Sequence, residues 1–582
     1  MVISLKIKLF FETILRLKIR QILYRIYYGV SNVSFLKKIK KITYLLSSQI
    51  QLKRLNLRYE LLDSFFLNGS KNKFFANSPV EKNEKEVFIL NFLNKKHVLN
   101  TTIWEYESHS TLWNYTLNYM NWLDFFLDED TKNNNKKNLK ISKKILLDWD
   151  ENKSDISLRS YPTSLRLLSW IKVFTFYKVE DQQLKKSLIF QYVCLKNNIE
   201  YDLDANHLLE NLISLYASSK FLNIEKDTKN YEMLLLEEIN NQFDKNNLHY
   251  ERSFAYHFSI ISRLYLIYFI SEGLLKKRIR KILGSSYSIL EQFSNKEGVY
   301  LFHDATHDMY AQLHQLKSIL SPFKNDYDFN LIDSGYFLHT NRAFKLCVDI
   351  GNPSPKYQPG HYHCSMSSFV LDYLNNPLII DTGVYEYYLD DIRRHLSRKT
   401  SSHNVMSIDS KEQSNIWSIF RLGESALINN FTLENKQEYE LLRVNYTAFP
   451  ELGNVRCLRL MVINKTFLRI HVVDTVLDKK PHNLKSFLIL DPSYNCCQNG
   501  DVFFISGNDH KIYLKSKSKV ALNRHEVYKR MGKKDLTTKV SIENDNPERA
   551  MISYCISDNK EHVDFQVENN FLTFGTERLR II

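Results

Sequence analysis

Cysteine, proline and glycine are all scarce in this chain of 582 residues, which has 7 Cys, 11 Pro and 15 Gly. The odd number of Cys and the absence of any Cys-x-x-Cys pair exclude a disulfide-rich scaffold and a zinc ribbon. Together with 44% hydrophobic and 13% aromatic residues, so little Pro and Gly excludes a collagen-like, low-complexity or disordered chain. At about 100–200 residues per domain, the length allows two to four domains with sizeable cores.

Long apolar runs are also missing. The most apolar later stretch, Leu264–Ile270, is too short to span a bilayer. Lys and Arg interrupt the N-terminus, which lacks the apolar core of about 7–15 residues found in a secretory signal. Apolar residues spaced by three or four from Phe11 to Ile26 instead predict a basic amphipathic helix. Packing of this helix on the body is the favoured interpretation, and contact of residues 1–41 with a membrane surface is the alternative.

The positive charge is concentrated at the N-terminus. Residues 1–41 hold ten Lys and Arg against one acidic residue, Glu12, within a total of 79 basic and 65 acidic residues. The remaining 541 residues are therefore nearly balanced at +5, although the whole chain carries +14. A balanced body without helix, ribbon or zinc-finger motifs argues against nucleic acid as a partner.

Several catalytic motifs are absent as well. The sequence has no GxSxG, GxxxxGK[ST], HExxH or strand-associated GxGxxG. These absences remove most of the support for serine hydrolase, nucleotide-dependent and zinc-protease chemistry. Paired carboxylates for glycoside hydrolysis cannot be picked out among 65 acids.

The periodicity of the apolar residues divides the chain into two architectures. Between about residues 105 and 322 they recur every three or four residues, which predicts antiparallel helices. After about residue 330 the period becomes two, and short β-branched and aromatic runs separated by turns predict an antiparallel β-sandwich. We therefore expect a basic N-terminal segment over 1–104, a helical domain over 105–325 and a sandwich over 330–582.

Histidines give the sharpest chemical signal. His361 and His363 lie two apart before a predicted strand, so both imidazoles can project from one face. Asp381 ends a later apolar strand, and His403 follows it. Imidazole and carboxylate ligands suit zinc. The spacing alone leaves both a metal site and ordinary core or surface histidines open.

A second polar cluster falls in the helical region. Asn206 and His207 begin a helical segment, and Glu210 follows one turn later on the same side. Glu251 to His257 begins another segment. Taken singly, each is interpreted as a helix cap or a hydrogen-bonded core group, and the spacing does not bring them together.

The segments described above and several others along the chain, taken in order, resemble the heparinase II/III family of polysaccharide lyases. Nine of them match the family's motifs in order and spacing: Trp113–Tyr119, Tyr161–Lys172, Asn206–Asn211, Glu251–His257, Leu301–Ala305, Pro359–His363, Asp381–Gly383, Arg398–Asn404 and Gln413–Gly423. The resemblance implies an incomplete (α/α) toroid packed on an antiparallel β-sandwich. It also implies β-elimination at a uronic-acid-containing glycan, in which the C5 proton is removed and the oxygen at C4 leaves.

The resemblance assigns roles to particular residues. Asn206 and His207 would neutralise the substrate carboxylate, and Glu210 could orient His207. Tyr256 would be the general acid and, for one substrate epimer, also the base, while His361 would be the base for the other epimer. Substrate contacts are implied for Tyr115, Tyr119, Arg252, Arg398 and Asn404. His363, Asp381 and His403 would hold a structural zinc ion that orders the loop carrying His361.

Some positions depart from the family pattern. Ser365 stands where relatives commonly have Asp, and Thr116, Asn118 and His303 replace Asn, His and Asn. Substrate contacts are therefore expected to differ from those of relatives. The resemblance implies a periplasmic or cell-envelope location and a substrate in surface-polysaccharide metabolism, although no secretory signal is recognisable.

Three functions fit this pattern. A polysaccharide lyase is the leading hypothesis. A uronyl C5-epimerase would remove the same proton and return it to the opposite face, and a non-catalytic glycan-binding protein would use the same groove. Retention of Asn206, His207, Tyr256 and His361 argues against the third, whereas the sequence does not separate the first two.

Overall fold

The computed structural model describes residues 2–31, 34–52, 56–69, 80–82, 88–324, 331–357, 359–388, 391–478 and 480–582. The α-helices in these ranges are α1 Val2–Arg16, α2 Ile19–Ser31, α3 Ser34–Leu52, α4 Asp63–Gly69, α5 Thr111–Tyr119, α6 Asp124–Lys132, α7 Leu139–Asn152, α8 Ser160–Tyr177, α9 Gln182–Lys196, α10 Ala205–Phe221, α11 Glu225–Gln242, α12 Phe254–Tyr268, α13 Gly273–Gln292, α14 Leu313–Leu320 and α15 Ile392–Arg398. No helix among them is long and apolar enough to cross a membrane.

The strands lie mainly after residue 335. They are β1 Val80–Lys82, β2 Phe88–Phe92, β3 Lys95–Val98, β4 Tyr336–Thr340, β5 Phe344–Asp349, β6 Phe369–Tyr373, β7 Asn376–Ile379, β8 Met406–Ile408, β9 Ile416–Trp417, β10 Arg421–Leu422, β11 Leu427–Asn435, β12 Tyr439–Ala448, β13 Val455–Asn464, β14 Arg469–Val476, β15 Leu484–Ile489, β16 Asn495–Asn499, β17 Val502–Gly507, β18 His510–Ser516, β19 Lys519–Arg530, β20 Lys533–Glu543, β21 Met551–Ser557, β22 Gln566–Glu568, β23 Phe571–Phe574 and β24 Glu577–Arg580.

The helical region is built around α10. This helix packs against α8, α11 and α12, and most of its side chains are buried. A helix that is apolar on nearly every side belongs in the interior of a helical layer. Asp181 caps α9 and Ser253 caps α12 through side-chain bonds to backbone N–H groups, which satisfies donors that the helix itself leaves free. These helices occupy the positions that the three- and four-residue periodicity predicts.

The sandwich consists of antiparallel sheets. Its largest sheet has the order β11-β12-β13-β14-β21-β18-β17-β16, and facing it are β19-β20-β15-β8 and β4-β5-β6-β7. Alternate residues of these strands form one apolar core, as in the buried face of β12 and β13. The predicted fold class, a helical domain followed by an antiparallel sandwich, is confirmed.

The long hairpin of β19 and β20 does not follow from the sequence pattern, because its apolar alternation is weak. Its turn contains Gly532, with a φ of 69°, and a Cβ there would lie 1.9 Å from the Leu93 carbonyl oxygen. Only glycine fits this turn. Asn94 donates to the Met531 carbonyl oxygen at 3.1 Å. The hairpin therefore packs against the β2–β3 turn, whose small sheet the sequence analysis also missed.

The N-terminal segment forms three helices instead of the single predicted one. The α1–α2 break lies at Leu17 and Lys18, where the Lys18 N–H is accepted by the Gln21 side chain. Glu12 of α1 accepts the Glu424 N–H of the sandwich at 3.1 Å. Tyr28 of α2 donates to the Ile199 carbonyl oxygen of the helical region. The helices thus pack on both domains, as the favoured interpretation expects.

Candidate active site

A cavity of about 910 Å³ lies where the helical region, the sandwich and the N-terminal helices meet. Its size suits a ligand larger than a single sugar. The predicted residues Asn206, His207, Tyr256 and His361 all line it, although they come from three separate parts of the sequence. The fold thus brings together side chains whose spacing alone gave no sign of convergence.

Asn206 and His207 lie in the first turn of α10, where the helix dipole favours an anion. The Asn206 amide has no hydrogen bond within the described residues and faces the cavity. His207 Nδ1 lies 3.1 Å from Glu200 Oε1, which leaves Nε2 available. Burial alone would lower the pKa of His207, but the Glu200 carboxylate raises it above its ordinary value. This pair therefore presents an amide and a readily protonated imidazole to an anionic group.

Tyr256 is held in the first turn of α12, where its N–H is accepted by Ser253. Its phenol donates to the Tyr387 hydroxyl at 3.0 Å, and its ring centroid lies 3.9 Å from that of His361. Burial raises the pKa of Tyr256 well above its ordinary value, and the neighbouring Tyr387 and Asp304 add to this rise. The phenol is consequently protonated at neutral pH, as a general acid must be.

Asp304 connects the two histidines of the His-x-His pair. Its carboxylate lies 2.9 Å from His361 Nδ1 and 2.7 Å from His363 Nε2. Arg394 of α15 binds both of its oxygens. Burial opposes ionisation, but Arg394 and the two histidines hold the pKa of Asp304 well below its usual range. Because Asp304 accepts from Nδ1, His361 keeps Nε2 as the nitrogen that can take a proton.

Residues 324–564 match the protein family described as Heparinase II/III-like, C-terminal. This part of the chain is a heparinase II/III-like domain. The resemblance that the sequence motifs predict is thus confirmed. No curated protein sequence matches the chain.

Solved structures extend the likeness to the helical region. Heparinase III aligns at 14% identity with a TM-score of 0.67, covering 91% of each chain. The heparan sulfate lyase HepC from Pedobacter heparinus aligns at 14% identity with a TM-score of 0.55, covering 95% of each chain. At this identity the likeness shows a shared fold, in which an N-terminal toroid of helices precedes the heparinase II/III-like domain.

Five residues are predicted to contact substrate, and three of them do not line the cavity: Arg252, Arg398 and Asn404. Arg252 is buried and donates to Asp349 and to the carbonyl oxygens of Ser334 and Gly335. Its φ of 61° belongs to the left-handed region. This backbone turn and the ion pair direct the guanidinium into the contact between the domains, so Arg252 stabilises the domain interface instead of binding substrate.

Arg398 and Asn404 are also structural, contrary to the prediction. Arg398 is buried and donates to the carbonyl oxygens of Tyr362, Ser418 and Ile419. The Asn404 side chain bonds backbone groups of Phe369 in β6, of Ile380 directly after β7 and of Ile489 in β15. Arg398 thus holds the backbone next to His361, and Asn404 joins strands of the sandwich. Tyr115 and Tyr119, in contrast, line the cavity, and their contact with substrate stays a prediction.

Glu210 does not orient His207. Its Oε1 lies 3.4 Å from Arg263 Nε, and Glu200 occupies the expected position beside His207. Asn211 fixes Glu200 through two bonds, one to Oε2 and one from the Glu200 N–H. No periodic pattern marks Glu200, because it lies in the loop before α10.

The predicted metal ligands are close together in the heparinase II/III-like domain. The rings of His363 and His403 have centroids 5.2 Å apart, and both side chains are fully buried. Among the residues that the structure describes, His363 Nδ1 and His403 Nε2 have no hydrogen-bond partner. Asp381 accepts from His403 Nδ1 at 2.8 Å. Two free buried imidazole nitrogens suit a metal ion. Asp381, however, contacts Nδ1 of His403 and not its free Nε2, and no group of three ligating side chains is assembled around one point in the described ranges.

Proposed function

We propose that this protein is a polysaccharide lyase that cleaves a uronic-acid-containing glycan by β-elimination. The observation that carries this proposal is the convergence of Asn206, His207, Tyr256 and His361 on one cavity. The heparinase II/III-like domain and the fold shared with heparinase III and HepC support the reaction class. An acidic polysaccharide is the substrate that this class implies.

The first requirement of the reaction is to make the C5 proton acidic. A neighbouring carboxylate that keeps its negative charge resists a second negative charge as the proton leaves. The Asn206 amide and the protonated His207 ring would bind that carboxylate and stabilise the enolate-like intermediate. Preorganised donors of this kind are usually the largest catalytic contribution.

Proton transfer falls to the other two residues. In an anti elimination His361 Nε2 would accept the C5 proton, and Asp304 at Nδ1 would stabilise the resulting imidazolium. In a syn elimination Tyr256 would itself take the C5 proton, as the family resemblance implies. Glu251 Oε1 lies 3.7 Å from Nε2, too far to occupy it with a hydrogen bond. The Tyr256 phenol would donate its proton to the C4 oxygen as the bond breaks.

Ultraviolet absorbance tests the function directly. Elimination creates a double bond conjugated to the carboxylate, which absorbs in the ultraviolet, so we expect absorbance to rise with at least one of heparan sulfate, heparosan, chondroitin sulfate, hyaluronan and alginate. An epimerase would instead exchange the C5 proton with deuterium from solvent without new absorbance. Binding with neither signal would contradict both enzymatic hypotheses.

We also propose that His363, Asp381 and His403 bind one zinc ion. The two buried nitrogens that lack a partner in the described residues support this proposal, and Asp381 contacts the other ring nitrogen of His403. Bound zinc would tie β7 to the loops before β6 and β8, and so stabilise the loop that carries His361. The ion would not touch substrate.

Metal analysis of the purified protein should give about one zinc per chain. His403→Ala should lose the zinc and lower the melting temperature, because a metal that binds only the folded state contributes directly to stability. His395→Ala, on the partly exposed helix α15, is the control and should keep the metal. A His403→Ala protein with full zinc content, or wild-type protein without zinc, would rule out this site.

We further propose that the N-terminal helices contact an anionic lipid surface. Of the 27 large apolar side chains that are exposed in the described part of the chain, 13 lie between Ile7 and Leu46. Leu15 and Ile19 are 84% and 76% exposed. Lys8 and Arg16 lie on the same helix as Leu15, and Lys41 lies on α3. The N-terminal helices therefore carry both apolar and basic side chains, as interfacial helices do.

Cosedimentation with vesicles of phosphatidylglycerol and phosphatidylcholine measures this contact. The protein should bind these vesicles, and Leu15→Glu with Ile19→Glu should abolish binding, because two charges would enter the apolar face. Leu536→Glu, at a site that is 60% exposed on the sandwich, should bind like the wild type. Wild-type protein that remains in solution would contradict the proposal, as would equal binding by the double variant.

A further inference from the structure

Two arginines from distant parts of the chain face the cavity without an acidic partner. Arg25 lies on α2 and Arg421 on β10, and both line the cavity in half-buried positions. Arg25 donates from Nε and Nη2 to the backbone carbonyl oxygen of Asp202 at 3.4 and 3.3 Å. Within the residues that the structure describes, neither guanidinium has a carboxylate at ion-pair distance.

The position of Arg25 is imposed by the way α2 packs. Lys18 and Arg20 pair with Asp204 at 3.1 and 3.2 Å, and Gln21 is fully buried beside the same loop. Tyr24 packs its ring 4.7 Å from that of Tyr201. The helix is therefore fixed on residues 199–204, the loop that leads directly into the catalytic helix α10.

The position of Arg421 is fixed from the other side. Its strand β10 pairs with β9, which places Arg421 opposite Trp417. Helix α1 lies against the same strand, because a Cβ at Gly423 would come within 2.7 Å of Leu9 Cδ2. The two N-terminal helices thus bridge the toroid and the sandwich along one side of the cavity, with Arg25 and Arg421 at that side.

Two like charges in a half-buried site destabilise each other. Burial and the nearby Arg421 lower the pKa of Arg25, and burial lowers the pKa of Arg421. The Asp202 carboxylate offsets part of this repulsion but lies beyond ion-pair distance of Arg25. The buried Arg459, in contrast, is neutralised by two bonds to the Asp474 carboxylate. Neither cavity arginine has such a partner among the residues that the structure describes.

We infer that Arg25 and Arg421 form an anion subsite that binds a second acidic group of the glycan. The group is a carboxylate of a neighbouring uronate or a sulfate ester, both of which match the planar donor fork of a guanidinium. The inference rests on the proposed glycan substrate. It assigns to the N-terminal segment a part in substrate recognition, separate from the residues that perform the elimination.

The inference is tested with Arg25→Gln, Arg421→Gln and the control Lys8→Gln, which removes an exposed charge outside the cavity. Equilibrium binding of fluorescently labelled heparosan and heparan sulfate hexasaccharides is measured by anisotropy, with Tyr256→Phe present in every protein, the reference included, so that the glycans are not cleaved during the measurement. Each cavity variant should weaken binding by about tenfold or more, since it removes a hydrogen-bond donor that carries a full charge. If the variants bind both hexasaccharides more weakly, the group bound by the two arginines is a carboxylate. If they bind only the heparan sulfate hexasaccharide more weakly, the bound group is a sulfate ester.

Several results would overturn the inference. The first is that Arg25→Gln and Arg421→Gln both fold and bind both hexasaccharides with wild-type affinity. The Arg421 side chain makes no hydrogen bond within the described residues, so its variant should fold even if Arg25→Gln does not. If wild-type protein binds neither hexasaccharide, its melting temperature in sodium sulfate is compared with that in sodium chloride at equal ionic strength. No specific sulfate stabilisation, or equal stabilisation in Arg421→Gln, would then overturn the subsite.

Failure of the proposed function has a different signature. In that case the wild type produces no ultraviolet absorbance from any glycan, yet the difference in affinity between the wild type and the cavity variants persists. If the protein is a lyase, Arg25→Gln should raise KM with little change in kcat, because the subsite binds ground state and transition state alike. A large loss of kcat with unchanged KM would contradict a binding role.

Discussion

Tyr256→Phe should abolish cleavage of every substrate while the protein stays folded. The substitution removes one oxygen, whose described hydrogen bond goes to Tyr387 at 3.0 Å, so the free energy of unfolding should fall by only about 1 kcal/mol. The leaving oxygen at C4 would then lose its proton donor. Removal of a general acid typically costs a factor of about 10²–10⁴. Initial rates of ultraviolet absorbance, with melting temperature as a check on folding, measure both effects.

Two companion variants make this result specific. Tyr387→Phe removes the same hydrogen bond from the other side and keeps the Tyr256 phenol, so it should cost much less activity. His361→Ala should be severe only for linkages that need anti elimination, where proton removal and proton donation occur on opposite faces. A Tyr256→Phe enzyme that forms unsaturated product at the wild-type rate would disprove the role of the phenol.

The sequence predicts the fold well because the signals for it are local. Apolar residues spaced three or four apart predict helices α8 to α13, and alternating apolar residues predict most of the central strands of the sandwich. The weakly alternating β19 and β20 are missed because their pairing depends on a turn that packs against a distant loop. The motifs also identify four residues that line one cavity, since their order and spacing resemble those of a known family.

The partners of these residues could not be predicted in the same way. Helical spacing favoured Glu210 as the partner of His207, but the loop before the helix supplies Glu200. Asp304 belongs to a recognised motif, yet only the folded chain shows that it joins His361, His363 and Arg394. Such contacts depend on loops and on packing between domains, which leave no periodic signal in the sequence.

Asn206→Ala and His207→Ala should each lower kcat by about two orders of magnitude or more. This is the scale seen when one preorganised donor to a developing negative charge is removed. Affinity for the substrate should change less, because the interaction strengthens as charge develops in the transition state. Steady-state kinetics and equilibrium binding on one confirmed substrate separate the two effects. Near-wild-type turnover in either variant would refute its assigned role.

The pH dependence identifies the charge state in which His207 acts. Because Glu200 raises the pKa of His207, the imidazolium persists to higher pH, and activity that requires it is lost as pH rises through that pKa. Glu200→Gln removes the negative charge, so the alkaline loss of kcat/KM should move to lower pH. Glu210→Gln is the matched control and should leave the position of the alkaline limb unchanged, since Glu210 pairs with Arg263. If Glu200→Gln loses kcat/KM at the same alkaline pH as the wild type, His207 acts as a neutral hydrogen-bond donor.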